Sequence, residues 1–402
     1  MIPRLKPYLG KEEILTIFKS RKLAVQRFEQ SFAARFHSSH AISFSYGRSA
    51  LWAFLNALKL KNIEVVQPAY TCSVVAHATV LSGNIPVFVD NTLTDYNMDI
   101  DLLADAITPN TRVVIPTHLF GYPMDIDKVN NVVHHAESQY GHKIWVIQDC
   151  AHSFDVQFKG KTVANTGDGT IFGLGISKQI TSIFGGVFTT NDEVTAKKVR
   201  EFRDSNFRKP SWKKSILRYL YLLAVYPAFQ PLIYGFVYWM QEKTPFLNRL
   251  TKAYHLDEKI HFPPDYLDQI TDIEALVGLE QLKKYTDVRS KRIEIAKKYF
   301  DEIHLSNELV LPPEIDGATY SHFAIRTNIR DRLLESFASH GIQLGQLIEY
   351  SMPHHPAYKK YAGEKPFPNS LLCSNSMINL PIYPNLRVID IDKIISFIMR
   401  YS

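Results

Sequence analysis

Residues 167–192 read GDGTIFGLGISKQITSIFGGVFTTND. Residues 170–174 are apolar and strand-like, and residues 187–190 open a second such run after the pair Gly185-Gly186. Lys178 follows Ser177 in the turn between them. A lysine between two buried strands is costly unless it sheds its charge. Burial lowers its pKa, and the neutral amine is a nucleophile suited to condensation with a carbonyl. For an isolated Ser-Lys pair, a plain surface-turn lysine is the competing reading.

A stretch upstream shifts the balance. Residues 144–147 (IWVI) form an apolar run of buried-strand type, and Asp149 stands where that strand would end. Ligands of open α/β sheets collect at the carboxyl ends of strands. A carboxylate there, with Lys178 at the next strand-turn, suits pyridoxal 5'-phosphate (PLP). The lysine holds the aldehyde, and the aspartate keeps the pyridine nitrogen protonated so that the ring withdraws electrons. Alone, Asp149 reads equally well as a helix cap or an ion-pair partner. The pair carries the signal.

Length and composition set outer bounds. The chain has 402 residues, enough for a large core and two domains. A net charge of +6 without a patterned basic run gives no footing for nucleic acid. Cys72, Cys150 and Cys373 are far apart, odd in number and lack metal-site spacing. That pattern reads as a reducing compartment, with neither structural disulfides nor a metal centre. The first residues, MIPRLKPYLGKEEIL, contain no apolar signal core, so a cytoplasmic protein is expected.

From residue 40 onward short strands and helices alternate. A strand at 41–45 leads through Tyr46-Gly47-Arg48-Ser49 into the apolar helix ALWAFLNAL. Gly47 and Ser49 at that helix start suit phosphate binding by backbone N–H groups, and Arg48 adds a charge. Plain capping explains the same residues equally well. Further strands are expected at 64–67, 85–89 and 112–116, with helices at 102–107 and 125–140. The alternation predicts a mainly parallel sheet covered by helices on both faces.

The ordered blocks GRSAL, VVQPAYTC, SGNIPVFVD, HLFGYPMD, IQDCAHS, GDGTIFGLGISK and FGGVFTTND resemble the DegT/StrS family of nucleotide-sugar aminotransferases. TDIEALVGLEQL, SHFAIR, FPNS and LPIYP continue the likeness, which omits only residues 205–260. The resemblance implies an α/β fold, that of the fold-type-I PLP aminotransferases. A large domain with a mainly parallel sheet would cover residues 1–255, and a small α+β domain residues 256–402. It also implies a homodimer that moves an amino group, usually from glutamate, onto a nucleotide-linked keto-sugar. By resemblance Lys178 is the catalytic, cofactor-bearing lysine, acting as general base and acid. Asp149 partners the pyridine nitrogen, Ala151 and His152 pack beside the ring, and Gly47-Arg48-Ser49 forms the phosphate turn. His118 reads as structural, and His322 as a residue that approaches substrate.

Four positions depart from the family pattern. Arg48 stands where threonine is usual and Gly173 where serine is usual, both being phosphate ligands. Cys72 replaces an aromatic that stacks on the ring, and Gln269 replaces an asparagine that reaches a neighbouring subunit's phosphate. Arg48 can supply a full charge for the missing hydroxyls, Tyr70 can take over the stacking, and Gln269 keeps the amide. The site therefore reads as remodelled, and a non-catalytic or regulatory relative that has lost PLP chemistry is the alternative. The retained Lys178 speaks against the family's dehydratase branch, where histidine takes that place.

One segment belongs to no catalytic block. Residues 219–240, YLYLLAVYPAFQPLIYGFVYWM, contain no charge. Arg208, Lys209, Lys213, Lys214 and Arg218 precede it, and Lys243, Arg249 and Lys252 follow. Pro227 and Pro231 break it, and a span would part the two domains across the membrane. Two readings remain for this insertion, placed at about 208–255. One is peripheral membrane contact through residues 215–245 at the cytoplasmic face of the inner membrane. The other is burial against the protein or its dimer mate. Near the C-terminus, residues 350–361 (YSMPHHPAYKKY) hold adjacent His354 and His355, a poor geometry for one metal. That loop reads as substrate-facing or structural with equal weight.

Overall fold

The computed structural model describes residues 1–243, 259–304 and 308–401, without the side chains of residues 241–243. The boundary expected between residues 255 and 256 lies outside the described residues. So do Arg249, Lys252 and the side chain of Lys243.

Seven strands form the main sheet: β1 (His40–Phe44), β2 (Glu64–Pro68), β3 (Ile85–Val89), β4 (Thr111–Val114), β5 (Trp145–Asp149), β8 (Gly169–Gly173) and β9 (Gly186–Thr190). Between β5 and β8 a small hairpin holds β6 (Gln157–Phe158) and β7 (Lys161–Thr162). The order across the main sheet is β1-β9-β8-β5-β4-β2-β3. Its pairs are parallel except those that β9 makes with β1 and β8, so β9 alone runs backwards. Val, Ile and Phe fill these strands, as sheets covered on both faces require. Buried residues of helix Gly47–Ala57 cover one face, with Leu51, Phe54 and Leu55 in the core. Because six strands share one direction, the ends of β1, β2, β5 and β8 and the start of β9 meet at one edge.

A second sheet is antiparallel, β10 (Leu309–Val310), β11 (Phe323–Thr327) and β12 (Met377–Leu380). The helix Asp272–Glu302 joins the two parts. Thr271 caps it, its N–H and hydroxyl both donating to Glu274 Oε2 at 2.9 Å. Leu282, Tyr285 and Val288 pack under the main sheet, whereas Ile295, Ala296 and Tyr299 enter the core of the second. Ile2 also reaches that second core, bridging to Ile342.

No single described helix is long and apolar enough to cross a membrane. Helices Trp212–Ala228 and Pro231–Lys243 pass such a test only together, bent by 110° at the break between them.

Candidate active site

Asp149 closes β5. Its N–H donates to the Pro116 carbonyl at 2.8 Å and its carbonyl accepts from His118 N–H at 3.1 Å, which fixes the carboxylate at the sheet edge. One carboxylate oxygen accepts from Ala151 N–H at 3.0 Å. Burial pushes the Asp149 pKa up, while the Ala151 N–H and the Lys178 charge pull it down. A buried acid held above its ordinary range suits a cationic partner at contact distance.

Lys178 lies on the turn after β8, half-buried, its N–H donating to Gly175 O at 2.9 Å. Its neighbour Gln179 fastens the turn: the amide donates to Thr319 O at 3.1 Å and accepts from the Tyr285 hydroxyl at 3.1 Å. Burial lowers the Lys178 pKa. Cys72 and Asp149 oppose that shift, and the Arg48 charge adds to it. Cys72, Asp149 and Arg48 are thus each close enough for Lys178 to sense.

The expected phosphate turn is built by close backbone approach. A Cβ on Gly47 would lie 3.2 Å from Gly173 Cα and from the Phe172 carbonyl oxygen. A Cβ on Gly186 would lie 2.3 Å from Gly47 N and from the Tyr46 carbonyl carbon. Glycine is what lets the helix start press onto β8 and β9. Arg48 is half-buried, its guanidinium 5.9 Å from the Tyr46 ring centre.

Ser49 corrects the sequence reading. Its buried hydroxyl donates to Tyr266 O at 2.8 Å, and its N–H donates to Tyr46 O at 3.1 Å. A phosphate oxygen needs a donor, and the hydroxyl proton of Ser49 is already committed. Its role here is structural. Tyr70 is a second correction. It is 1% exposed in the core between the two parts, with its hydroxyl donating to Ile348 O at 3.2 Å. That packing leaves it no open face for a cofactor ring. Cys72 does reach the site, half-buried at the start of helix Ser73–Leu81. The side-chain amide of Gln269 donates to Phe207 O at 3.4 Å.

His152 and His322 come together from different parts of the chain, their ring centres 5.1 Å apart. Phe120 stacks on His152 at 6.2 Å and 17°, and its N–H donates to His152 Nδ1 at 3.4 Å. That acceptance assigns the ring proton to Nε2. Burial, followed by the Lys178 charge, pushes both histidines well below the ordinary range. His118 is spent on structure: Nδ1 accepts from Met124 N–H at 3.0 Å, and Nε2 lies 2.8 Å from Gln148 Oε1.

Sequence reasoning passed over Phe120 and Tyr350. Phe120 adopts a left-handed backbone (φ 57°) beside Gly121 (φ 95°), where a Cβ would strike Tyr320 N at 2.7 Å. The signal was the Phe-Gly pair within HLFGYP. Tyr350 brings its phenol oxygen to the turn at Cys72, accepting from Ser73 N–H at 3.0 Å.

These groups fit PLP. A lysine with a lowered pKa, a buried carboxylate with one oxygen bonded to a backbone N–H, and an arginine beside a glycine-lined helix start are the partners its aldehyde, ring nitrogen and phosphate require. Lys178, Asp149 and Arg48 would hold it, with Gly47, Ala151, His152, Cys72 and Gly173 around it. Bound there, PLP supplies an electron-withdrawing ring.

The DegT/DnrJ/EryC1/StrS aminotransferase family matches residues 16–244 and 247–399. The chain is 27% identical over 415 residues to the spore coat polysaccharide biosynthesis protein SpsC of Bacillus subtilis, covering 98% of this chain and 95% of that one. In fold it is similar to the sugar aminotransferase CalS13 of Micromonospora echinospora, with a TM-score of 0.79, 17% identity and complete coverage of both chains. It is also similar to the PMP form of the putative sugar aminotransferase Spr1654 of Streptococcus pneumoniae, with a TM-score of 0.77, 21% identity and coverage of 98% and 97%. The chain belongs to the DegT/DnrJ/EryC1/StrS aminotransferase family and is a PLP-dependent sugar aminotransferase.

Proposed function

We propose that the enzyme moves an amino group from glutamate to a nucleotide-linked keto-sugar, as a cytoplasmic homodimer serving surface polysaccharide or lipopolysaccharide synthesis. The observation that carries this reading is the charge balance at the strand edge. Lys178 senses both the Arg48 charge and the buried acid Asp149, so two cations stand against one acid at this edge, an arrangement that favours anionic ligands. A nucleoside diphosphate and a dicarboxylic amino acid both fit that field. The role carried by the name of SpsC supports the polysaccharide assignment.

In this reading Lys178 Nζ would carry the proton from the donor's α-carbon to the cofactor's carbonyl carbon in the first half-reaction and in the reverse sense, onto the sugar carbon, in the second, a task its lowered pKa favours. Asp149 keeps a proton on the pyridine nitrogen. His152, with its ring proton on Nε2, and His322, whose ring centre lies 5.1 Å away, would orient substrate. Gln269, whose amide is bonded to Phe207 O in this chain, would serve the phosphate of a second subunit.

Glutamate supplied with a nucleoside-diphosphate keto-hexose, beside the same keto-hexose without its nucleotide, tests the proposal. Oxoglutarate and an amino-sugar nucleotide should form in the first mixture only. Equal turnover of the free sugar, or turnover of neither, would contradict it.

A further inference from the structure

Residues 212–243 play no part in the chemistry at Lys178, yet they carry a large share of the exposed apolar surface. Two helices build this segment, Trp212–Ala228 and Pro231–Lys243. Pro227 removes an N–H in the last turn of the first, and Pro231 opens the second, where that loss is harmless. The pair therefore bends by 110°.

One side of the pair is fixed to the enzyme. Leu222 packs with Ile183, Ile273 and Val277, and the buried Tyr234 hydroxyl donates to Gln343 Oε1 at 2.5 Å. The root is fixed by charge. Arg218 binds Asp265 at 2.6 Å, the wholly buried Glu274 at 3.0 Å and the Tyr46 hydroxyl at 3.1 Å, and Lys214 binds Asp265 and Asp268. The other side is also apolar. Leu217, Leu220 and Leu223 on the first helix and Leu232, Phe236 and Trp239 on the second are exposed, Leu232 at 98%. Among the described residues, nothing covers this face. A helix apolar on both sides with only one side covered marks an interaction surface.

We propose that this outer face seats the enzyme in one leaflet of a bilayer rich in anionic lipid. No charge interrupts residues 219–240. Exposed Trp212 and Trp239 lie near the outer ends of the two helices, and exposed Lys209 and Lys213 stand at the root. Arg208, Lys214 and Arg218 are engaged in ion pairs, and among the described residues Lys209 and Lys213 are exposed cations at the root that complement acidic headgroups. An apolar face with tryptophan and lysine toward its edges is the arrangement of interfacial segments. The second helix has 13 residues. That is about 20 Å, short of the roughly 30 Å hydrocarbon core. Arg218 on the first helix and Tyr234 on the second are both bonded to the enzyme body, so both helices stay on its side.

Co-flotation of the full-length holoenzyme with phosphatidylcholine vesicles, with and without phosphatidylserine, tests this and needs no turnover. Wild type should float with the acidic vesicles, less so in high salt, and lipids brominated in their tails should quench part of its tryptophan fluorescence. The variant Leu220→Glu/Phe236→Glu should float about tenfold less with its circular dichroism and sedimentation unchanged. Wild type that neither floats nor is quenched would overturn the proposal. So would a variant that floats equally well, or one that falls to a smaller oligomer, since a second copy would then cover the face. If the variant fails to fold, the quenching of wild type by brominated lipid decides alone.

Discussion

Gly173 faces Lys178 across a gap that admits a side chain: a Cβ built on it would lie 3.6 Å from Lys178 Cε and 3.5 Å from Ala151 Cβ. Both are ordinary contact distances. The glycine at a position where the family usually has serine is therefore not demanded by space. Gly173→Ser should fold normally and add a hydroxyl beside the phosphate turn. PLP binding, followed by absorbance titration, should tighten about tenfold, the worth of one hydrogen bond to a charged group. Unchanged or weaker binding would show that the phosphate lies elsewhere.

Arg48 carries the opposite expectation. If its guanidinium replaces the missing hydroxyls, Arg48→Ala should weaken PLP binding by about tenfold to a hundredfold. Gly173→Ser in the same chain should recover part of that loss. The same titrations check both variants. An Arg48→Ala protein that binds PLP as tightly as wild type would remove Arg48 from the site.

Gly186 is constrained where Gly173 is not. Its missing Cβ would sit 2.3 Å from two backbone atoms of the phosphate turn. Backbone cannot swing aside as a flexible side chain can, so Gly186→Ala should cost more than about 2 kcal/mol in urea unfolding. PLP affinity should fall with it, because relief of the clash moves Gly47 off β8.

His118 predicts a pH dependence. Burial lowers its pKa from the ordinary 6.5 to about 4. Between those values the unfolded chain binds a proton that the folded chain refuses, so stability falls as pH drops from 6.5 toward 4. From about pH 7 to about pH 5 this one group should cost about 2 kcal/mol. Urea midpoints of wild type and His118→Gln at both pH values check it. The wild type should lose more on acidification, and equal losses would contradict the assignment.

Much of the fold lies open in local sequence, because apolar runs end at polar groups where strands end. Ile85–Val89 is a strand over the very residues that read as one, and Asp149 closes its strand and Lys178 follows β8 at the expected edge. What stays hidden depends on partners distant in the chain. The hydroxyl of Ser49 is claimed by Tyr266, and Tyr70 is turned into the interdomain core by Ile348. The reversal of β9 depends on its pairing with β1, far earlier in the chain. Composition exposed the apolar character of residues 219–240 but not that one face would be covered and the other bare.

The central claim rests on Lys178, and the visible spectrum of the purified protein with added PLP tests it most directly, beside Lys178→Ala. Wild type should develop an absorption band that the variant lacks, and glutamate should bleach it while oxoglutarate appears. No band in wild type at saturating PLP, or the same glutamate-sensitive band in Lys178→Ala, would contradict the account.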